Sequence, residues 1–256
     1  GGGMSALMRT LSAESLKLRG TLALWMCLIA PATVVGLTVL QVAFADLGDK
    51  IPPPPAEAWH RLALGMMTLW AFLMLPLFVT LEAALLAGLE HGNQQWKHLL
   101  ALPMPRSAHY LAKAVALASL VALSMLVMCV LVPLGGWALG LLQPAFGIAG
   151  PPPMGLVAGI AARAFCASLL MVALQLWIAL RWRSFTVAVA SGMTATVMGF
   201  LVGQSERFGH LYPWAMPLQV MAEEPTRLVF VMLAGSAGGL LVTALAALEF
   251  SRREVA

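Results

Sequence analysis

The sequence predicts an all-α, polytopic membrane protein, and three observations carry that expectation. Hydrophobic residues fill 61% of 256 positions while charged residues fill 10%, against about a quarter charged in a soluble domain. Mean hydropathy is +0.88. The apolar residues gather into runs near the ~20 residues a helix needs to cross the hydrocarbon core, and short polar or proline-rich intervals divide them. A water-soluble fold of this length would display a charged surface that this composition does not provide.

Six runs qualify as transmembrane helices: Thr21 to Phe44 (21–44), Leu62 to Leu81 (62–81), Ala114 to Leu142 (114–142), Gly155 to Leu180 (155–180), Thr186 to Val202 (186–202) and Leu228 to Leu248 (228–248). Lys17 and Arg19 precede the first run, and Ala43-Phe44-Ala45 resembles a cleavage site. The run is nevertheless longer than the roughly 7–15 apolar residues of a signal sequence, so a retained helix is expected. The glycines ahead of Met4 read as an added scar and are set aside. Arg163 and Glu82 are the candidate intramembrane polar groups. Arg163 is interfacial if its helix begins at Ala164, and at greater depth it needs a cavity or partner. Glu82, like Glu249, is expected at a cytoplasmic helix end, where a long side chain can reach water.

Orientation follows from the basic residues. With the N-terminus inside, Arg9, Lys17, Arg19, Lys97, Arg106, Lys113, Arg181, Arg183, Arg252 and Arg253 lie on the cytoplasmic side. Only Lys50, Arg61, Arg207 and Arg227, with Arg163 if it is outside, oppose them. This positive-inside bias places both termini in the cytoplasm. It also assigns the net charge of +4 to membrane orientation, not to nucleic acid. On the far side, Ile51 to Pro55 and Gly150 to Pro153 cannot continue a helix and serve as stiff spacers. A longer outer loop, 203–226, carries Tyr212-Pro213-Trp214-Ala215-Met216-Pro217. It either dips into the outer leaflet or is an ordinary loop anchored by interfacial aromatics.

Two segments are amphipathic without being long enough to span. Ser5 to Arg19 (5–19) places Leu7, Leu11 and Leu18 in one arc with Arg9 and Lys17 off it, an interfacial helix feeding the first span. Leu89, Trp96, Leu99 and Leu100 share one face of a cytoplasmic helix (89–102) that Pro103 ends. Glu90 to Arg106 is the only long polar interval in the chain, so that face is expected to meet lipid or protein.

The chemistry of catalysis is not prominent. Cys27, Cys129 and Cys166 fall in apolar runs without metal-ligand spacing, as inert buried thiols do. Ala234-Gly235-Ser236-Ala237-Gly238 has the outline of a nucleophile turn, but His60, His91, His98, His109 and His210 all sit in loops or at helix ends. Gly235 and Gly239 fit a small-residue spacing for dimer or helix packing, as do Gly136 and Gly140. No lysine ends a phosphate-cradling glycine loop. No cofactor is expected on this chain, and if ATP drives it, the nucleotide and its Mg bind a partner.

Glu14-Ser15-Leu16-Lys17-Leu18-Arg19, the six spans, and Glu90 followed by Trp96-Lys97-His98-Leu99-Leu100-Ala101-Leu102-Pro103-Met104-Pro105-Arg106 and Tyr110-Leu111-Ala112-Lys113 resemble an ABC-2 type transporter permease. The likeness is greatest to permease subunits of lantibiotic self-protection and bacitracin-type exporters. It covers nearly the whole chain, with Glu90 to Lys113 as its motif-like part. Asn93-Gln94-Gln95 departs from the small residue and threonine usual before the tryptophan.

The resemblance implies that Glu90, Trp96, Lys97, Leu99, Leu100, Pro103 and Arg106 belong to a coupling helix docked on an ABC ATPase subunit present in two copies. It makes residues 5–19 a connecting helix, and makes Tyr212, Pro213, Trp214 and Pro217 part of an outer gate. It implies a second copy or a sister permease, placement in a bacterial cytoplasmic (inner) membrane, and export of an amphipathic peptide, lipid or hydrophobic drug. The alternative is a secondary carrier or membrane scaffold without an ATPase.

Overall fold

A computed structural model describes residues 2–100 and 106–253, with side chains described for residues 22–88 and 107–253. All the regular elements among the described residues are helical, and six helical segments are long and apolar enough to cross a membrane.

The first helix, α1, runs from Gly2 to Ala43. The expected 5–19 helix and the first span are thus one rod, because the lone Gly20 between them costs only about 1 kcal/mol in a helix interior. The side chains of residues 5–19 lie outside the described ones. The second span is also longer than its apolar run. Helix α2 covers Pro55–Leu69, a π-helical turn covers Trp70–Met74, and α3 covers Leu75–Leu100. Helix formation begins at Pro55 because proline is favoured at the first position, where its missing N–H costs nothing. Glu57 and Arg61 then pair on the exposed face while Trp59 and Leu62 point inward. The expected coupling helix 89–102 is continuous with this rod as far as Leu100, whereas Leu102 and Pro103 lie outside the described residues.

The π-turn adjoins a proline. Pro76 has no N–H to offer Phe72 in the α-helical pattern. The preceding N–H, from Leu75, bonds instead to the Trp70 carbonyl five residues back. One extra residue is thereby absorbed without breaking the helix.

Helix α4 covers Arg106–Leu142, α5 Met154–Arg181 and α6 Phe185–Gly203. The short α7 covers Met216–Gln219, and α8 covers Pro225–Arg252. Ser184 caps α6, its hydroxyl accepting from the Val187 N–H at 3.3 Å. Helix α5 is central, with α8, α4 and α3 around it, while α1 lies on α4 and α6 on α3.

At the proline-rich end the packing is close. The Trp59 ring fills the space at Gly136, where a Cβ would fall 2.1 Å from the indole. Its Nε1 donates to Ala149 O at 3.0 Å. Gly147 adopts φ +92, which an L side chain rarely does, and lies against the Pro53 carbonyl. Gln143 Nε2 donates to Ala45 O at 3.0 Å, joining the ends of α1 and α4. The first proline spacer is therefore docked on the turn that precedes the second.

Candidate functional site: the α3 lever and the polar groups of the bundle

The sequence-predicted coupling residues lie on two helices. Glu90, Trp96, Lys97, Leu99 and Leu100 are on the last turns of α3, and Arg106 opens α4. Their side chains lie outside the described ones, and Pro103 outside the described residues. A continuous helical rod runs from Pro55 to Leu100, and the π-turn is its one irregular joint.

Glu82 is not at a helix end, contrary to expectation, because α3 continues to Leu100. Its side chain is 0% exposed, so it cannot reach water. Neither carboxylate oxygen has a hydrogen-bond partner. Cys27 on α1 lies within electrostatic reach, and the Cys27 Sγ also approaches Leu120 O of α4 at 3.6 Å. Glu82 is therefore a buried carboxyl on α3 near Cys27 of α1. Two residues earlier, Thr80 faces α6, where a Cβ on Gly192 would fall 2.2 Å from its hydroxyl.

Sequence reasoning missed Gln175, which is fully buried on α5 and donates from Nε2 to Ala188 O of α6 at 3.0 Å. An amide inside an otherwise apolar run was the available signal. Glu249 does lie at the end of its helix. It accepts from Trp177 Nε1 at 2.8 Å and Arg253 Nη2 at 2.7 Å, with Arg181 Nε 3.7 Å away.

Helix α5 begins at Met154, not at Ala164, so Arg163 is within the helix. Nine residues at 1.5 Å each place it about 14 Å along the axis. Its Nε donates back to Gly159 O at 3.1 Å, and the partly buried side chain folds toward the helix start, the direction helical side chains prefer. Gly235 and Gly239 face α5 of the same chain. Added Cβ atoms would fall 2.6 Å from the Ala167 backbone and 2.7 Å from that of Leu169. A second copy cannot occupy that face, which corrects the dimer reading of these glycines in favour of internal helix packing.

The outer segment is folded into the bundle. Pro213–Ala215 form one 3-10 turn that leads into α7. Ala215, Met216, Pro217 and Gln219 are buried, and α7 touches the π-turn. Tyr212 donates its hydroxyl to Ala195 O of α6 at 2.8 Å and lies near Trp214, with ring centroids 5.7 Å apart. Burial pushes the Tyr212 phenol pKa up. Gly199 provides the space, since a Cβ there would fall 3.2 Å from the Tyr212 ring. Gln219 then bridges Gly203 O and Arg227.

No group of three or more His, Cys, Asp or Glu among the described residues could hold a metal ion. Among the described residues, the polar side chains brought together are structural bonds and isolated buried groups. Against this geometry, the family model of the ABC-2 family transporter proteins matches residues 10–202. The chain is a member of that family. Comparison with curated proteins and with solved structures finds no match. Membership makes this multi-pass protein the membrane component of an ABC transporter, a subunit type that is generally non-catalytic and works with an ABC ATPase. In this ABC-2 protein the matched region takes in α3 and ends at Val202, so the outer segment and α8 lie beyond it.

Proposed function

We propose that this chain is the permease subunit of an exporter that moves an amphipathic peptide, lipid or hydrophobic drug outward, driven by two copies of a separate ATPase. The observation that carries the reading is the unbroken Pro55 to Leu100 rod, whose last turns bear the polar interval. ATP and Mg bind the partner chains. Closure of the ATPases on ATP displaces residues 89–102, and the rod transmits the motion through the bundle to the α7 segment beside the π-turn. Trp96, Leu99 and Leu100 are the apolar anchors on the ATPase, Glu90, Lys97 and Arg106 orient the contact, and Pro103 ends the coupling helix.

Two such permeases, or this one and a sister, form the pathway in a bacterial inner membrane with both termini cytoplasmic. The exposed faces of α1, with Leu24, Trp25 and Leu28, and of α6, with Met193, Val197 and Phe200, are available to that second chain. An apolar wall favours an amphipathic cargo over a small ion. The lantibiotic and bacitracin-type exporters remain the nearest functional analogy, on the residues from Glu90 to Lys113.

One observation favours the alternative of a secondary carrier: enclosed ionisable groups such as Glu82 are common in carriers. Family membership weighs against it. The test is Trp96→Ala or Glu90→Lys in the assembled transporter. Truncating a central anchor typically costs about 2 kcal/mol or more, so ATPase binding weakens at least tenfold while the permease still inserts. Normal ATPase binding and full transport in both variants overturn the coupling assignment.

A further inference from the structure

Beyond its role as a permease, the chain carries an unpartnered cationic site at the ends of α5, α6 and α8. Arg181, Trp182 and Arg183 close α5 and lead into Phe185 of α6, while Arg252 and Arg253 close α8. The pieces are held together by Glu249, which bonds Arg253 and Trp177 and lies 3.7 Å from Arg181. Trp182 packs edge-on against Trp177, with centroids 5.6 Å apart, and the Arg181 guanidinium lies 5.6 Å from the Trp182 ring centroid. Glu249 is thereby engaged. Arg183 and Arg252 are exposed and make no ion pair among the described residues.

The surface beneath Arg252 identifies the occupant. Leu248, Leu245 and Leu241 follow at spacings of four, three and four residues, which place them on the face of Arg252. They are 55%, 56% and 60% exposed. The stripe runs about 16 Å along the helix, about the depth of one leaflet of a ~30 Å hydrocarbon core. Trp182 and Phe185, 44% and 57% exposed, flank the cationic end as interfacial aromatics do. Among the described side chains, a second copy offers no acidic group at this end other than the engaged Glu249. The other acidic residues with described side chains are the enclosed Glu82 and a set at the opposite end: Asp46, Asp49, Glu57, Glu206, Glu223 and Glu224.

We propose that the ends of α5, α6 and α8 form a site for an anionic membrane lipid, with Arg183 and Arg252 on the headgroup phosphate and an acyl chain along Leu248, Leu245 and Leu241. The planar guanidinium donors suit phosphate oxygens, and the leucines supply the apolar contact that free phosphate cannot use. Arg181 and Arg253 stay on Glu249 and fix the position of the site.

The test is native mass spectrometry of the purified full chain with phosphatidylglycerol or phosphatidylcholine of identical acyl chains. The wild type should retain the anionic lipid preferentially. Each basic residue at an anionic surface is worth about fivefold in affinity, so Arg183→Gln with Arg252→Gln should lower the preference on the order of 25-fold. Arg61→Gln with Arg207→Gln, at the other end of the bundle, should leave it unchanged. No preference in the wild type, full preference in R183Q/R252Q, or equal loss in both double variants overturns the proposal. Complete displacement by inorganic phosphate makes it a free-anion site and also overturns it. Loss of ATPase binding with lipid retention unchanged marks a protein dock instead, against the lipid assignment.

Discussion

Glu82 is fully buried on α3 with neither carboxylate oxygen hydrogen-bonded. A buried polar group without a partner costs about 1–3 kcal/mol on the evidence of protein mutations. Glu82→Leu should therefore raise the thermal stability of the purified chain, and a lower melting temperature would show that the carboxyl has a partner in the assembled protein. Gly235 argues in the other direction. Its missing Cβ lets α8 touch the α5 backbone at Ala167, so Gly235→Leu should destabilise by about 1–3 kcal/mol through overpacking. Unchanged thermal stability would mean that the two helices separate easily. These residues differ in legibility. The Gly235 and Gly239 spacing announced close packing, whereas the partner was not readable, because a small-residue motif fits a neighbour in the same chain as well as one in another. Glu82 was misplaced for a simpler reason: the apolar run ends at Leu81, but the helix does not.

At the scale of elements, the second span is the part the sequence least foretold. Its apolar core from Leu62 to Leu81 was readable, but hydropathy cannot see that the polar turns at both ends remain helical. The π-turn at Trp70–Met74 has two features that could set it: the missing N–H of Pro76 and the packing of Trp70, whose Nε1 donates to Met125 Sδ at 3.2 Å. Pro76→Ala separates them. If proline is the cause, the variant recovers α-helical bonding and α3 turns by about 100° relative to α2, carrying Thr80 away from Gly192. Gly192→Ala, whose Cβ would clash with Thr80, should then destabilise the chain with Pro76 present and be tolerated in Pro76→Ala. An equal loss of thermal stability in both backgrounds would assign the π-turn to Trp70. The outer segment was half legible: its aromatics and prolines marked a special loop, and the bonds of Tyr212 and Gln219 to α6 carbonyls decide that it folds inward.

For the whole molecule, composition and run length sufficed for an all-helical chain with six spans, since a bilayer imposes its thickness directly on sequence. The assembly is another matter, because nothing within one chain's packing names the chains it meets. The windows of α8 and α6 are only 17% and 22% buried within this chain, leaving broad apolar faces for lipid, a second permease or both. The central claim is that the α3 lever is worked by a separate ATPase, and it has one direct measurement. The permease should be expressed from its native neighbourhood, solubilised from membranes and purified alongside Trp96→Ala, with co-purifying proteins and ATP hydrolysis measured for both. The account predicts that the wild type brings down a P-loop ATPase and that Trp96→Ala loses most of it while remaining folded in the membrane. Transport by the isolated chain with no nucleotide-binding partner would contradict it.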